Sequence, residues 1–242
     1  RRPMTIARIP ASRGQQYLWF THQFEANSGL NVPGAIRIRG PLDWERLKTV
    51  LNMIVERHEI LLTTFLEEDG RVVQQIAPLR EVDLEITSVA ETQPGYFEAT
   101  ITEALRQEAR HVFDLRRGPL VRFRGFRFVG DEHAIIFNLH HIVTDGWSMK
   151  ILVQEIAALY HASDPAEIPR PELQYGDYAL WEDELLAGPA FEKACAYWAQ
   201  NLSGSAGMLE LPMACDRRAV TSNLAGVREI QFPPELAQQL EG

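Results

Sequence analysis

Two cysteines in 242 residues, Cys195 and Cys215, are too few for a disulfide framework, and they do not make the C-x-x-C spacing of a metal or redox pair. A reducing cytoplasm is the expected compartment. Basic residues are the next shortage: 24 Lys plus Arg stand against 33 Asp plus Glu, for a net charge of -9, and no basic stripe runs along the chain. Nucleic acid is therefore not an expected partner. No apolar run reaches the ~20 residues of a membrane span, and the opening RRPMTIARIP lacks the apolar core of a signal peptide, so no membrane partner is expected. Internal repeats, low-complexity tracts and long linkers are missing as well. What remains is 45% hydrophobic, enough to bury the core of one large domain or two small ones. The chain begins at Arg1, and it stops after Pro233, Pro234 and the opening turns of a helix, which reads as a piece of something longer.

The elements can be placed from periodicity. AIRIRG (35–40) alternates as a half-exposed strand, and behind an Asp43 cap Leu47, Val50, Leu51, Ile54 and Val55 fall at helical spacing. Asp69-Gly70 marks a hairpin between two β-rich runs. DLEITSVA predicts a strand and YFEATITEALRQEARHVF a long amphipathic helix. Residues 120–142 read as two strands around Gly130-Asp131. In the first, Val121 and Phe123 change phase with Phe126 and Phe128 after Gly125, so a bulge at Gly125 is expected, with Arg122, Arg124 and Arg127 together on a wet face. The second, Ala134 to Leu139, is apolar on both faces apart from Asn138, as in a strand central to a sheet. Met149, Leu152, Val153, Ile156 and Tyr160 make one helical stripe, two further helices follow, and VREIQF (227–232) closes as a candidate strand. Sheet and helices mixed in one chain give α/β or α+β, with one domain the simpler count.

The strand 134–139 runs into NLHHIVTDGW, where three readings of the histidine pair compete. A metal site with Asp145 as third ligand is disfavoured, because neighbouring side chains on a strand point to opposite faces and no H-E-x-x-H or Cys/His spacing is present. A satisfied structural histidine at a strand end is favoured for His140. For His141 the third reading is acid/base or positioning chemistry. By parity it shares a face with Ile135, Phe137 and Leu139, and a partly desolvated imidazole there would favour the neutral form that accepts a proton. Asp145 either orients an imidazole or fixes the loop through backbone amides, the latter being favoured. Gly146 is expected to supply a backbone geometry or close approach that a side chain would prevent.

His140, His141, Asp145 and Gly146 form H-H-x-x-x-D-G, which resembles the signature of condensation domains of non-ribosomal peptide synthetases. ASRGQQYLWF (11–20), RHEILLTTF (57–65), FDLRRGPLVR (113–122), YGDYALW (175–181) and YWAQNLSG (197–204) leading into LELP (209–212) are similar to further family stretches, in order, over nearly the whole chain. The resemblance implies the chloramphenicol acetyltransferase-like fold: an α+β sandwich with a mixed, largely antiparallel sheet, two lobes and a cleft between them. Residues 1–242 would be the N-terminal lobe, with the C-terminal lobe absent. It implies an acyltransferase in which an acceptor amine attacks a donor acyl or peptidyl thioester, with His141 catalytic and His140, Asp145 and Gly146 supporting its loop. No resident cofactor is implied, since substrates ride on phosphopantetheine arms. The implied partners are donor and acceptor carrier proteins, the C-terminal lobe and an adjacent adenylation domain.

Every motif also has a plainer reading. Trp19, Phe20 and Trp181 suit core or interlobe packing, and Arg57-His58-Glu59 closes a helix where a basic residue suits the dipole. Leu62 departs from the family, which usually has there an arginine paired to the aspartate matched by Asp145. Either something else holds the Asp145 loop, or its order and the activity are reduced. Other functions compatible with these residues are a non-catalytic platform for carrier proteins or tailoring enzymes, a coenzyme A-dependent acyltransferase, and an epimerase relative.

Overall fold

A computed structural model describes residues 8–24, 28–78, 80–90, 93–205 and 230–241. Seven strands and seven α-helices appear among them: β1 (Arg8–Pro10), α1 (Arg13–Phe24), β2 (Asn31–Arg39), α2 (Trp44–Arg57), β3 (Thr63–Glu68), β4 (Arg71–Ile76), β5 (Leu84–Ser88), α3 (Tyr96–Ala109), β6 (Val121–Arg127), β7 (Glu132–His140), α4 (Gly146–His161), α5 (Tyr175–Leu186), α6 (Pro189–Asn201) and α7 (Pro234–Glu241). The strands form a four-stranded sheet in the order β2-β7-β6-β5 and a three-stranded sheet β1-β4-β3, in which only the β5/β6 pairing is parallel. The chain divides into two compact units, Arg1–Ala194 and Cys195–Gly242. Both sheets belong to the first; the second holds the end of α6 and α7. Cys195 is exposed, and Cys215 lies outside the described residues.

Local chemistry sets the turns and caps. Asp69 (φ 50) and Gly70 (φ 75) both take the left-handed conformation of the β3/β4 hairpin, as do Gly130 (φ 79) and Asp131 (φ 55) between β6 and β7. Asp43 accepts the N–H of Arg46 at 3.0 Å and starts α2. Leu47, Val50, Leu51 and Ile54, all at 2% exposure or less, then lie against the sheet face that carries Val121, Phe123, Ile135, Phe137 and Leu139. Leu152 and Ile156 of α4 join the same core, with Met149, Val153 and Tyr160 at its margin. β7 is central, as its doubly apolar sequence requires. β2 is an edge strand, where Pro33 costs no ladder bond that matters.

Several expectations are corrected. β6 has no bulge: its register with β7 runs unbroken from Val121↔Leu139 to Arg127↔His133. The phase change is real because both faces of the sheet are covered. Phe126 and Phe128 pack with Ala134, Ile136 and the α3 residues Ile101 and Ala104 in a second core. Gly125 serves another purpose, since a Cβ there would lie 2.4 Å from Cζ3 of Trp44, whose indole presses on the strand. The three arginines do not share a wet face. Arg122 and Arg124 reach the buried Glu108 at 3.2 and 3.6 Å, while the Arg127 guanidinium sits 5.8 Å from the Trp44 ring centre on the other side. α3 ends at Ala109 rather than running to Phe113, where Asn31 bonds the carbonyls of Glu108, Ala109 and His111. Of the candidate closing strand, residues 227–229 lie outside the described residues and 230–232 are not strand; the helix after Pro233 is present as α7. Trp19 is core, whereas Phe20 and Trp181 are 50% and 55% exposed.

Candidate functional site

β7 stops at His140, so the two histidines separate. His140 is 1% exposed on the sheet, and His141 opens a 3-10 turn over His141–Val143 that leads through Thr144 to α4. Nδ1 of His140 accepts the N–H of Ile142 at 3.1 Å, and its Nε2 lies 3.3 Å from Nδ1 of His22 on α1. Burial, with His22 and His141 nearby, holds the His140 imidazole down to about 3, so it is neutral at physiological pH. His141 itself is exposed and lines a cleft of about 320 Å³ together with Leu18, His58, Leu139, Asp145 and Tyr175.

Asp145 is the N-cap of α4. Its carboxylate accepts the Ser148 N–H at 2.7 Å and the Ser148 hydroxyl at 2.6 Å, bonds that hold its pKa below the usual carboxylate range. Leu62 packs against the main core and lines a separate cavity of about 890 Å³ with Thr63, Thr64 and Arg116. Both Ser148 bonds fall on the Oδ1 oxygen of Asp145. At Gly146 a Cβ would meet nothing within 4 Å among the described residues, and its φ is outside the left-handed region. It is the first residue of α4 after the Asp145 cap.

Three residues, two lining this cleft and one behind it, were given no role in the site from the sequence. Tyr175, at the start of α5, hydrogen-bonds the Ser12 hydroxyl at 2.9 Å, and burial pushes its phenol up, keeping it neutral. His58 Nε2 meets Glu155 Oε2 at 2.9 Å, beside the buried Arg57, whose Nε is 3.2 Å from the same carboxylate oxygen. The third is His22, behind His140. Tyr175, Ser12 and His58 sit inside the stretches similar to the family, but their pairing across 163 and 97 residues is not in any local pattern. Among the described residues no group of three or more His, Cys, Asp or Glu side chains converges as a metal-ligand set, and no helix is long and apolar enough to cross a membrane.

A mixed, largely antiparallel sheet flanked by helices, with a histidine turn at the end of its central strand, is the chloramphenicol acetyltransferase-like fold of condensation domains. The chain belongs to the condensation domain family, whose model matches residues 6–242. It is 38% identical over 231 residues to a linear gramicidin synthase polypeptide of Brevibacillus parabrevis, covering 94% of this chain and 3% of that protein. It is 33% identical over 233 residues to surfactin synthase subunit 2 of Bacillus subtilis (strain 168), covering 96% of this chain and 6% of that one. Among solved structures, the X-domain from teicoplanin biosynthesis superposes with a TM-score of 0.75 at 30% identity, over 90% of this chain and 47% of that chain. The condensation domain of the Monacolin K polyketide synthase MokA superposes with a TM-score of 0.71 at 23% identity, over 84% and 45%. The chain thus spans a small part of its curated relatives and about half of these structures.

Proposed function

We propose that this chain is the N-terminal lobe, residues 1–242, of a peptide synthetase condensation domain and that His141 is its catalytic residue. The observation that carries the reading is the separation of the doublet: one imidazole is sealed and neutral under the turn, and the other stands free in a cleft. In this reading the acceptor amine and the donor acyl or peptidyl thioester, each on the phosphopantetheine arm of a carrier protein, meet over His141. The amine nitrogen bonds to the carbonyl carbon, the carbon–sulfur bond breaks, and the proton lost from nitrogen passes by way of Nε2 or Nδ1 of His141 to the departing sulfur. The thioester is already activated, and an α-amine with pKa near ~8 is partly neutral unaided, so orienting the amine and moving one proton is the main work. His140, Asp145 and Gly146 support the loop. The C-terminal lobe and an adenylation domain complete the machine, which operates in the cytoplasm.

A second reading, a platform without chemistry, is favoured by one comparison: the teicoplanin X-domain, 29% identical to this chain with a TM-score of 0.75, has been solved in complex with OxyB. Amide formation from two loaded carrier proteins by the full-length protein, wild type against His141→Ala, separates the two. Loss of product supports catalysis at His141; an unchanged rate, or no product from wild type, supports the platform.

A further inference from the structure

α1 grips the histidine turn at two points. Gln15 Nε2 donates to the Ile142 carbonyl at 3.3 Å; two helical turns on, His22 meets His140, the ring that accepts the Ile142 N–H. Trp19, 2% exposed, lies between them on the same helix face.

A ring nitrogen that accepts a hydrogen bond carries no proton. The His140 proton is therefore on Nε2, where its acceptor is Nδ1 of His22, and the His22 proton is on the Nε2 of that ring. The two rings meet edge to face, with centroids 5.1 Å apart at 78°. One placement of protons satisfies both bonds. A further proton on His140 would set donor against donor at Ile142 N–H. A further proton on His22 would face the Nε2–H of His140, drive that ring to its other tautomer and lose the Ile142 bond in the same way. Burial opposes both events: it lowers His22 against the pull of Asp114, and it lowers His140 further. The other titratable and charged groups around the pair are Arg116, which shares a cavity with His22 and Asp114, His141 next in sequence, and His111, stacked edge-on to the Phe113 ring that also meets His140.

We propose that His22 is a positioning residue: by holding the His140 proton on Nε2 it keeps His140 Nδ1 an acceptor for Ile142, and so fixes the backbone that aims His141. The kinetic part of this proposal rests on the amide-forming reading; the tautomer part does not.

The test uses the full-length protein with 15N-labelled histidine, comparing wild type, His22→Leu, which removes the acceptor, and His22→Asn, whose Oδ1 replaces Nδ1. Long-range 15N–1H spectra are expected to show His140 in the Nε2–H tautomer in wild type and His22→Asn. In His22→Leu that tautomer is lost in part and the Ile142 amide exchanges with solvent at least ~10-fold faster. In condensation assays His22→Leu is expected to lower kcat by ~10- to 100-fold with KM little changed, and His22→Asn to restore most of it. A wild-type His140 proton on Nδ1, or a tautomer and Ile142 exchange rate unaltered in His22→Leu, overturns the proposal. So does an equal loss of kcat in both variants with the tautomer intact. If His141→Ala turns over like wild type, the amide-forming reading fails instead, and the spectra alone decide the role of His22.

Discussion

The carboxylate of Asp145 closes on Ser148 twice, through the backbone N–H at 2.7 Å and the hydroxyl at 2.6 Å. The cap belongs to the helix that follows the histidine turn, so it couples helix stability to the placement of His141. Asp145→Ala is expected to destabilise the protein by ~1 kcal/mol and lower its melting temperature by ~2–4 °C, with Asp145→Asn retaining most of the stability. Thermal unfolding followed by circular dichroism checks this. Leu62→Arg, which puts a charge against the core, is expected to lower stability rather than raise it.

Gly125 is the point where Trp44 touches the sheet. A methyl group there would lie 2.4 Å from Cζ3 and 2.9 Å from Cη2 of the indole, inside any van der Waals distance. Gly125→Ala is expected to cost ~1–3 kcal/mol by overpacking, read as a lower urea midpoint at constant m-value. The double variant with Trp44→Phe should recover part of the loss, because a smaller ring leaves room for the methyl.

Glu108, 4% exposed, is held between Arg122, Arg124 and the Asn138 side chain. Removing it takes the carboxylate from the partly buried Arg124, while Asn138 keeps its 2.8 Å bond to the backbone carbonyl of residue 108. Glu108→Ala is therefore expected to cost ~3 kcal/mol, whereas Arg122→Ala, removing a half-exposed partner, costs less than ~1 kcal/mol. Denaturant unfolding of the two variants measures the ratio.

His140 gives a pH dependence of definite sign. Its folded pKa is lowered to about 3 from the model-peptide value of 6.5, so between those limits the unfolded chain binds the extra proton. The contribution is complete above pH ~6.5 and shrinks as pH falls toward the folded pKa, at up to ~1.4 kcal/mol per pH unit. Stability measured from pH 7 to 5 is expected to fall more steeply in wild type than in His140→Asn, which has no ring to protonate. Parallel curves would show that the ring is not the titrating group.

Much of this fold is legible in the sequence because local chemistry and global packing agree. Asp43 before α2, Asp69-Gly70 and Gly130-Asp131 each demand one backbone conformation, and each takes it. β6 was harder. A strand covered on both faces carries no single alternation, so the switch from Phe123 to Phe126 reads equally as a bulge or as two cores; α3, well upstream in the chain, decides it. In the candidate site the H-H-x-x-x-D-G run is plain, and the opposite fates of its two histidines follow from β7 ending between them. The groups that tie the turn to the rest of the molecule are not local. His22 is 118 residues from His140, and Ser12 is 163 from Tyr175, so no window of sequence contains either pair.

The most direct measurement of the central claim is single-turnover amide formation by the full-length protein, with donor and acceptor thioesters loaded on their carrier proteins. With His141→Ala, circular dichroism and melting temperature should match wild type, since the side chain is exposed, while the rate of amide appearance falls by ~10²- to 10⁴-fold. A folded His141→Ala protein that forms amide at the wild-type rate would contradict the account.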